Sequence, residues 1–103
     1  MDIRQLTDEM NRFVAAKGWY RPGSRAPQTP RNIATSLVIE AAEALEHFQW
    51  SDTPQNRHEL AGELADVALY LLQLAYLTDI DLEQSILDKL AVNYRRTWPE
   101  DEA

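Results

Sequence analysis

Cysteine is absent from the 103 residues. Its absence excludes a disulfide framework, a zinc finger and a thiol nucleophile, and it agrees with a reducing cytoplasm. Cations are scarce as well. Ten Lys and Arg face seventeen Asp and Glu, for a net charge of −7, so the chain is a poor binder of nucleic-acid backbone by charge. Long apolar runs are missing. The longest, Val67 to Leu77, is interrupted by Gln73 and is too short to span a bilayer. The opening Met1-Asp2-Ile3-Arg4-Gln5 lacks the apolar core of a signal peptide. A cytoplasmic protein that engages neither membrane nor nucleic acid is expected. Strand-like alternation and internal repeats are also absent, which leaves an all-α class.

What is present is helical periodicity. Ile3, Leu6, Met10, Phe13 and Val14 recur at helical spacing over residues 2–17, and Gly18 then stops the helix. Trp19 to Gln28 holds two prolines, a glycine and two arginines. It reads equally as a lid over a ligand or as a solvated connector with Trp19 tucked inside. Thr29-Pro30 starts a second helix, Thr as N-cap and Pro at N1, which should run to about Gln49. Its core face is Ile33, Leu37, Ala41, Ala44, Leu45 and Phe48. A third helix, capped by Thr53 or Asp52, should reach about Thr78, with Leu60, Leu64, Val67, Leu71 and Ala75 inward. From Val67 onward it is apolar almost all round, which implies burial against another subunit. Asp81 with Gln84 resembles a capping box for a fourth helix, whose inward residues are Leu82, Ile86, Leu90 and Tyr94. The expectation is one domain over residues 1–103, with a frayed tail from 97 onward.

The chemistry sits on the second and third helices. Glu40 and Glu43 are spaced i, i+3; after nineteen intervening residues Glu63 and Asp66 repeat the spacing. On a helix each pair lies on one face and repels by a few tenths of a kcal/mol. Singly, such a pair is the ordinary solvated face of a Glu-rich helix. Two pairs on adjacent, apolar-backed helices point to a four-carboxylate cage for a hard cation such as Mg²⁺, and their oxygens should converge on a common point. Lys89, Asn93 and Arg96 recur at i, i+4 and i+7. They either offset a helix dipole or donate to phosphates. A di-iron bundle would need Glu-x-x-His, whereas the third-residue partners here are Glu43 and Asp66.

The run Glu40-Ala-Ala-Glu43-Ala-Leu-Glu-His-Phe-Gln-Trp50, followed by Glu63-Leu-Ala-Asp66-Val-Ala-Leu-Tyr70, resembles the MazG-like nucleotide pyrophosphohydrolases, and within them the dCTP pyrophosphatase-like branch. The start Pro30-Arg31-Asn32 and the ending Lys89-Leu-Ala-Val-Asn93-Tyr-Arg-Arg-Thr-Trp-Pro99 carry the likeness from Phe13 to Pro99. It implies a four- to five-helix all-α pyrophosphatase bundle, assembled as a homodimer or a dimer of dimers. It implies Glu40, Glu43, Glu63 and Asp66 as ligands of Mg²⁺, with Mn²⁺ as a substitute. Lys89, Asn93, Arg96 and Tyr70 would hold the triphosphate, and Phe13, Trp19, His47 and Trp50 the base. The implied reaction takes an NTP or dNTP, dCTP-like by preference, to the monophosphate and pyrophosphate, with Glu43 or Glu40 receiving a proton from water. Two departures from the branch are Ala42 in place of a glycine, and a longer Trp19–Pro30 segment in which Gln28 replaces a histidine. The alternative is a non-catalytic helical interaction module with a solvated acidic face.

Overall fold

The computed structural model describes residues 1–102 as four α-helices and a terminal 3-10 turn: α1 Ile3–Ala16, α2 Pro30–Glu46, α3 Arg57–Leu77, α4 Leu82–Arg95, and the turn Pro99–Glu102. No strand occurs among the described residues, as the missing alternation predicts. α2 and α3 form the main pair, α1 lies across α3, and α4 touches α1. Met10, Val14 and Leu72 make a small core, with Ile3 and Leu82 packed against it.

Local chemistry explains most helix ends. At Thr29 the hydroxyl accepts from Asn32 N at 3.2 Å, with Pro30 at N1, as expected. Gly18 takes φ +77°. Gly18 N then donates to Ala15 O at 3.0 Å and Trp19 N to Val14 O at 3.3 Å. This pair of bonds closes α1 as a Schellman motif and sets the direction of Trp19.

Three boundaries differ from the sequence expectation. α3 is capped by Asn56, whose carbonyl accepts from Glu59 N at 3.0 Å, not by Thr53 or Asp52. Asn is as good a cap as Asp, while Ser51 Oγ ties Thr53 N into a separate turn. α2 ends at Glu46, short of Gln49. Residues 47–49 tighten into i to i−3 bonds, His47 N to Ala44 O, Phe48 N to Leu45 O and Gln49 N to Glu46 O, and so leave the α register. The reciprocal capping box is found at Asp2 and Gln5. At Asp81 only half of one forms, because the Gln84 side chain donates forward to Asp88 at 2.8 Å.

α3 closes with the same pair of bonds as α1, Asp79 N to Tyr76 O and Ile80 N to Ala75 O, but with Asp79 rather than glycine at φ +57°. That conformation costs an L-residue free energy that glycine does not lose. Asp79→Gly is expected to stabilise the protein by about 0.5–1 kcal/mol, seen as a rise of a few degrees in Tm.

The expected core faces are only partly buried. Leu45, Phe48, Leu64, Leu71, Ile86, Leu90 and Tyr94 are exposed. Within Val67–Leu77 the inward residues are Leu72, Gln73 and Ala75, while Leu69, Leu71 and Tyr76 face out. α4 has no buried residue. The chain presents 8224 Å² of accessible surface, against about 5,900 Å² for a compact monomer of its mass. Its radius of gyration is 16.7 Å, where about 13 Å is usual for this length. α3 is long and apolar enough by composition to cross a membrane. Taken whole, it therefore exceeds the shorter apolar run that the sequence suggested. However, Glu63 and Asp66 sit near its middle, and it packs along α2.

Candidate active site

Glu40 and Glu43 on α2, and Glu63 on α3, are half-buried, while Asp66 is exposed. The other three all act on Glu40. Burial raises the Glu40 pKa first. The charge of Glu43 adds to this, then the close approach of its carboxyl, then the charges of Asp66 and Glu63. The expected convergence on one point is nevertheless not reached. Among the described residues, no three His, Asp or Glu side chains stand close enough together to hold a metal ion in this arrangement. Like charges repel at this spacing, and among the described residues no Lys or Arg pairs with any of the four.

The donor set still fits a hard cation. All four side chains offer oxygen, the ligand type that Mg²⁺ takes. Glu63 Oε2 is buried with no hydrogen-bond partner, an arrangement that costs free energy unless something satisfies it. His47 Nε2 approaches that oxygen at 2.7 Å, which is ion-pair distance but outside hydrogen-bond geometry. His47 is itself buried at the C-cap of α2, and there it orients Glu63.

The Glu40 shift has a measurable consequence. Its folded-state pKa lies above the unfolded value, so ionisation penalises the fold. Stability should rise as pH falls from neutrality into the ordinary carboxylate range, and should be lost as pH rises through the folded pKa. Glu40→Gln in metal-free protein is expected to flatten that dependence and to stabilise by a few tenths of a kcal/mol per repulsive neighbour relieved. Tm against pH in EDTA, for both proteins, checks it.

A cavity of about 760 Å³ opens beside the carboxylates. Its α3 wall is Asp66, Leu69, Tyr70 and Gln73; α1 supplies Met10, Phe13 and Val14, and α2 supplies Asn32, Ile33 and Ser36. The segment Trp19–Gln28 is neither a free connector nor a distant lid. Trp19, Arg25, Ala26, Pro27 and Gln28 form a wall of the cavity. Phe13 and Trp19 meet edge to face there, centroids 5.6 Å apart. Arg25 is the one cation among the lining residues.

The predicted base-pocket residues therefore divide. Phe13 and Trp19 line the cavity, whereas His47 stands behind Glu63 and Trp50 is 82% exposed. The 3-10 turn after Glu46 is the reason, since it takes residues 47–50 off the α2 face. The predicted phosphate-binding residues divide too. Tyr70 lines the cavity; Lys89, Asn93 and Arg96 do not. Lys89 and Asn93 remain on α4, but Arg96 is its C-cap with extended backbone and stacks on Trp98 at 4.1 Å. The three therefore do not form a continuous helical stripe.

Gln73 falls by helical spacing on the face of α3 that carries Glu59, Glu63, Asp66 and Tyr70, and it lines the cavity with Asp66 and Tyr70. It is 3% exposed and donates from Nε2 to Gln28 Oε1 at 2.7 Å and to the Tyr20 hydroxyl at 3.3 Å. Burial raises the Tyr20 pKa, and the Gln73 bond offsets part of that. The signal in the sequence was the one amide inside an apolar stretch.

The model of the MazG-like family matches residues 35–103, which hold both acidic pairs and the α4 ending. The chain belongs to the MazG-like family. Among relatives, this MazG-like chain is 38% identical over 104 residues to dCTP pyrophosphatase 1 of Mus musculus, covering 92% of this chain and 56% of that protein. It therefore spans little more than half the length of that relative. A shorter match, 50% identical over 38 residues, is to a dATP/dGTP diphosphohydrolase of Salmonella phage PMBT28, covering 37% of this chain and 13% of the phage protein. The MazG-like fold agrees with the crystal structure of a pyrophosphatase from Archaeoglobus fulgidus at a TM-score of 0.76 and 32% identity, covering 89% of this chain and 88% of that one.

Proposed function

We propose that this chain is the subunit of a Mg²⁺-dependent nucleoside triphosphate pyrophosphohydrolase, acting on a deoxynucleotide with dCTP first among candidates, and that it works in the cytoplasm. The observation that carries the reading is that the charges of Glu43, Glu63 and Asp66 all bear on Glu40, with Asp66 lining a ligand-sized cavity. Pockets of this volume, apolar with a few polar groups, suit small molecules.

Mg²⁺ held by these oxygens would supply charge neutralisation at the phosphates and a more acidic water. The residues divide the remaining work. Glu40 or Glu43 accepts a proton from water. His47 holds Glu63 in place from behind, the outer-shell support that ligating carboxylates commonly have. Phe13 and Trp19 give the base an apolar, aromatic surface. Tyr70 and Arg25, which also line the cavity, would donate hydrogen bonds to the nucleotide.

The same reading includes a homodimer or dimer of dimers. The surface in excess of a compact monomer is on the order of 2,000 Å², the size of an obligate interface on each subunit. The exposed apolar rows on α2 (Val38, Leu45), α3 (Leu64, Leu71) and α4 (Ile86, Leu90) supply it. Closing that interface would also bring α4, with Lys89 and Asn93, against a neighbouring site.

The test is a pyrophosphate-release screen over common NTPs and dNTPs with Mg²⁺, products separated by anion exchange. Monophosphate and pyrophosphate are expected. Orthophosphate as the first product would reverse the assigned placement of the substrate. No hydrolysis, together with no rise in Tm on adding Mg²⁺, would favour the non-catalytic interaction module.

A further inference from the structure

We propose that Gln73, held in one orientation by Gln28, is the specificity-determining group of the cavity, and that it selects a base with an exocyclic amino group over one with a carbonyl oxygen in its place: cytosine over uracil. The inference rests on the nucleotide reading above.

The hydrogen-bond chain has a fixed sense. A backbone carbonyl can only accept, so Gln28 turns its Nε2 toward Ala26 O at 2.7 Å. Its Oε1 must then accept, and Gln73 Nε2 donates to it at 2.7 Å. The Gln73 Nε2 also reaches the Tyr20 oxygen at 3.3 Å, so both protons of that amide are used. What remains is Gln73 Oε1, a carbonyl with no partner among the described residues, on a side chain 3% exposed that lines the cavity.

An unpaired acceptor on the cavity wall is satisfied by an N–H of a bound base, and it is left facing lone pairs when the base offers another acceptor there. An amino group supplies the N–H; a uracil oxygen at the same place sets lone pairs against lone pairs. The position fits as well. Asp66, Tyr70 and Gln73 are spaced i, i+4, i+7 on α3, so the amide lies about 10 Å along the helix from the carboxylate. A sugar and a base fill that interval, with the edge of the base at Gln73 and its face toward Phe13 and Trp19.

The test measures binding of dCMP and dUMP by calorimetry to the wild type, Gln73→Leu and Gln28→Leu, with dCTP and dUTP hydrolysis followed alongside. The wild type should bind dCMP about 10-fold or more tightly than dUMP, the discrimination expected when a buried polar group is left unpaired. Gln73→Leu should bring the ratio close to one. Gln28→Leu leaves Gln73 free to turn its Nε2 into the cavity, so the ratio should fall or invert. If Gln73→Leu does not fold, the Gln28 variant decides. A wild type that binds both equally, or neither, overturns the inference, as does a folded variant that keeps the wild-type ratio. Preference for dCMP without hydrolysis of either triphosphate would leave Gln73 in its role and overturn the catalytic reading alone.

Discussion

Asp66→Asn is expected to lower turnover by more than about 100-fold and to abolish the rise in Tm on adding Mg²⁺, while far-UV circular dichroism stays that of the wild type. Removing an outer-shell partner of a ligand costs about 10–100-fold, and loss of the anionic oxygen itself should cost more. The fold should tolerate the change because Asp66 is exposed at the edge of the cavity and belongs to no core cluster. Glu63→Gln should behave likewise. His47→Phe makes a graded comparison. It removes the group 2.7 Å from Glu63, so turnover should fall within the 10–100-fold range. Lys89→Ala should weaken triphosphate binding and leave Mg²⁺ stabilisation intact, since Lys89 lies off the carboxylate cluster. Wild-type activity in Asp66→Asn would contradict the assigned site.

Leu90→Asp should lower the assembled mass in light scattering to that of one chain and reduce Tm by more than about 10 °C. Leu90 and Ile86 lie on a helix with no buried residue, and among the described residues only five hydrophobic ones are buried. A chain this size with so small a core has little stability alone. Burying an unpaired carboxylate at an apolar interface costs several kcal/mol, a large part of the total stability of any small domain. The wild type should run as a multiple of 11.8 kDa. A compact wild-type monomer at micromolar concentration, as stable as the Leu90→Asp variant, would show that the exposed rows need no second copy.

The division between what was legible in the sequence and what was not follows the range of the interactions. The Thr29-Pro30 start, the Gly18 stop, the four helices and the two i, i+3 acidic pairs could be read directly, because each depends on residues three or four apart on one stretch of backbone. The same local rules leave near-ties, and those went to the fold. Asn56, Thr53 and Asp52 are all competent caps, and the turn at Ser51 decided for Asn56. Periodicity carried Arg96 onto the face of Lys89, but its stacking on Trp98 took it out of the helix. The pairing of His47 with Glu63, and the amide network that joins Gln73 to Gln28 and Tyr20 across 45 and 53 residues, exist only once α1, α2 and α3 are packed. The sequence by itself determined the helices and the carboxylates they carry. The tertiary structure decided which side chains share the cavity, because burial and hydrogen-bond geometry between distant segments are properties of the packed chain and not of any one stretch of it.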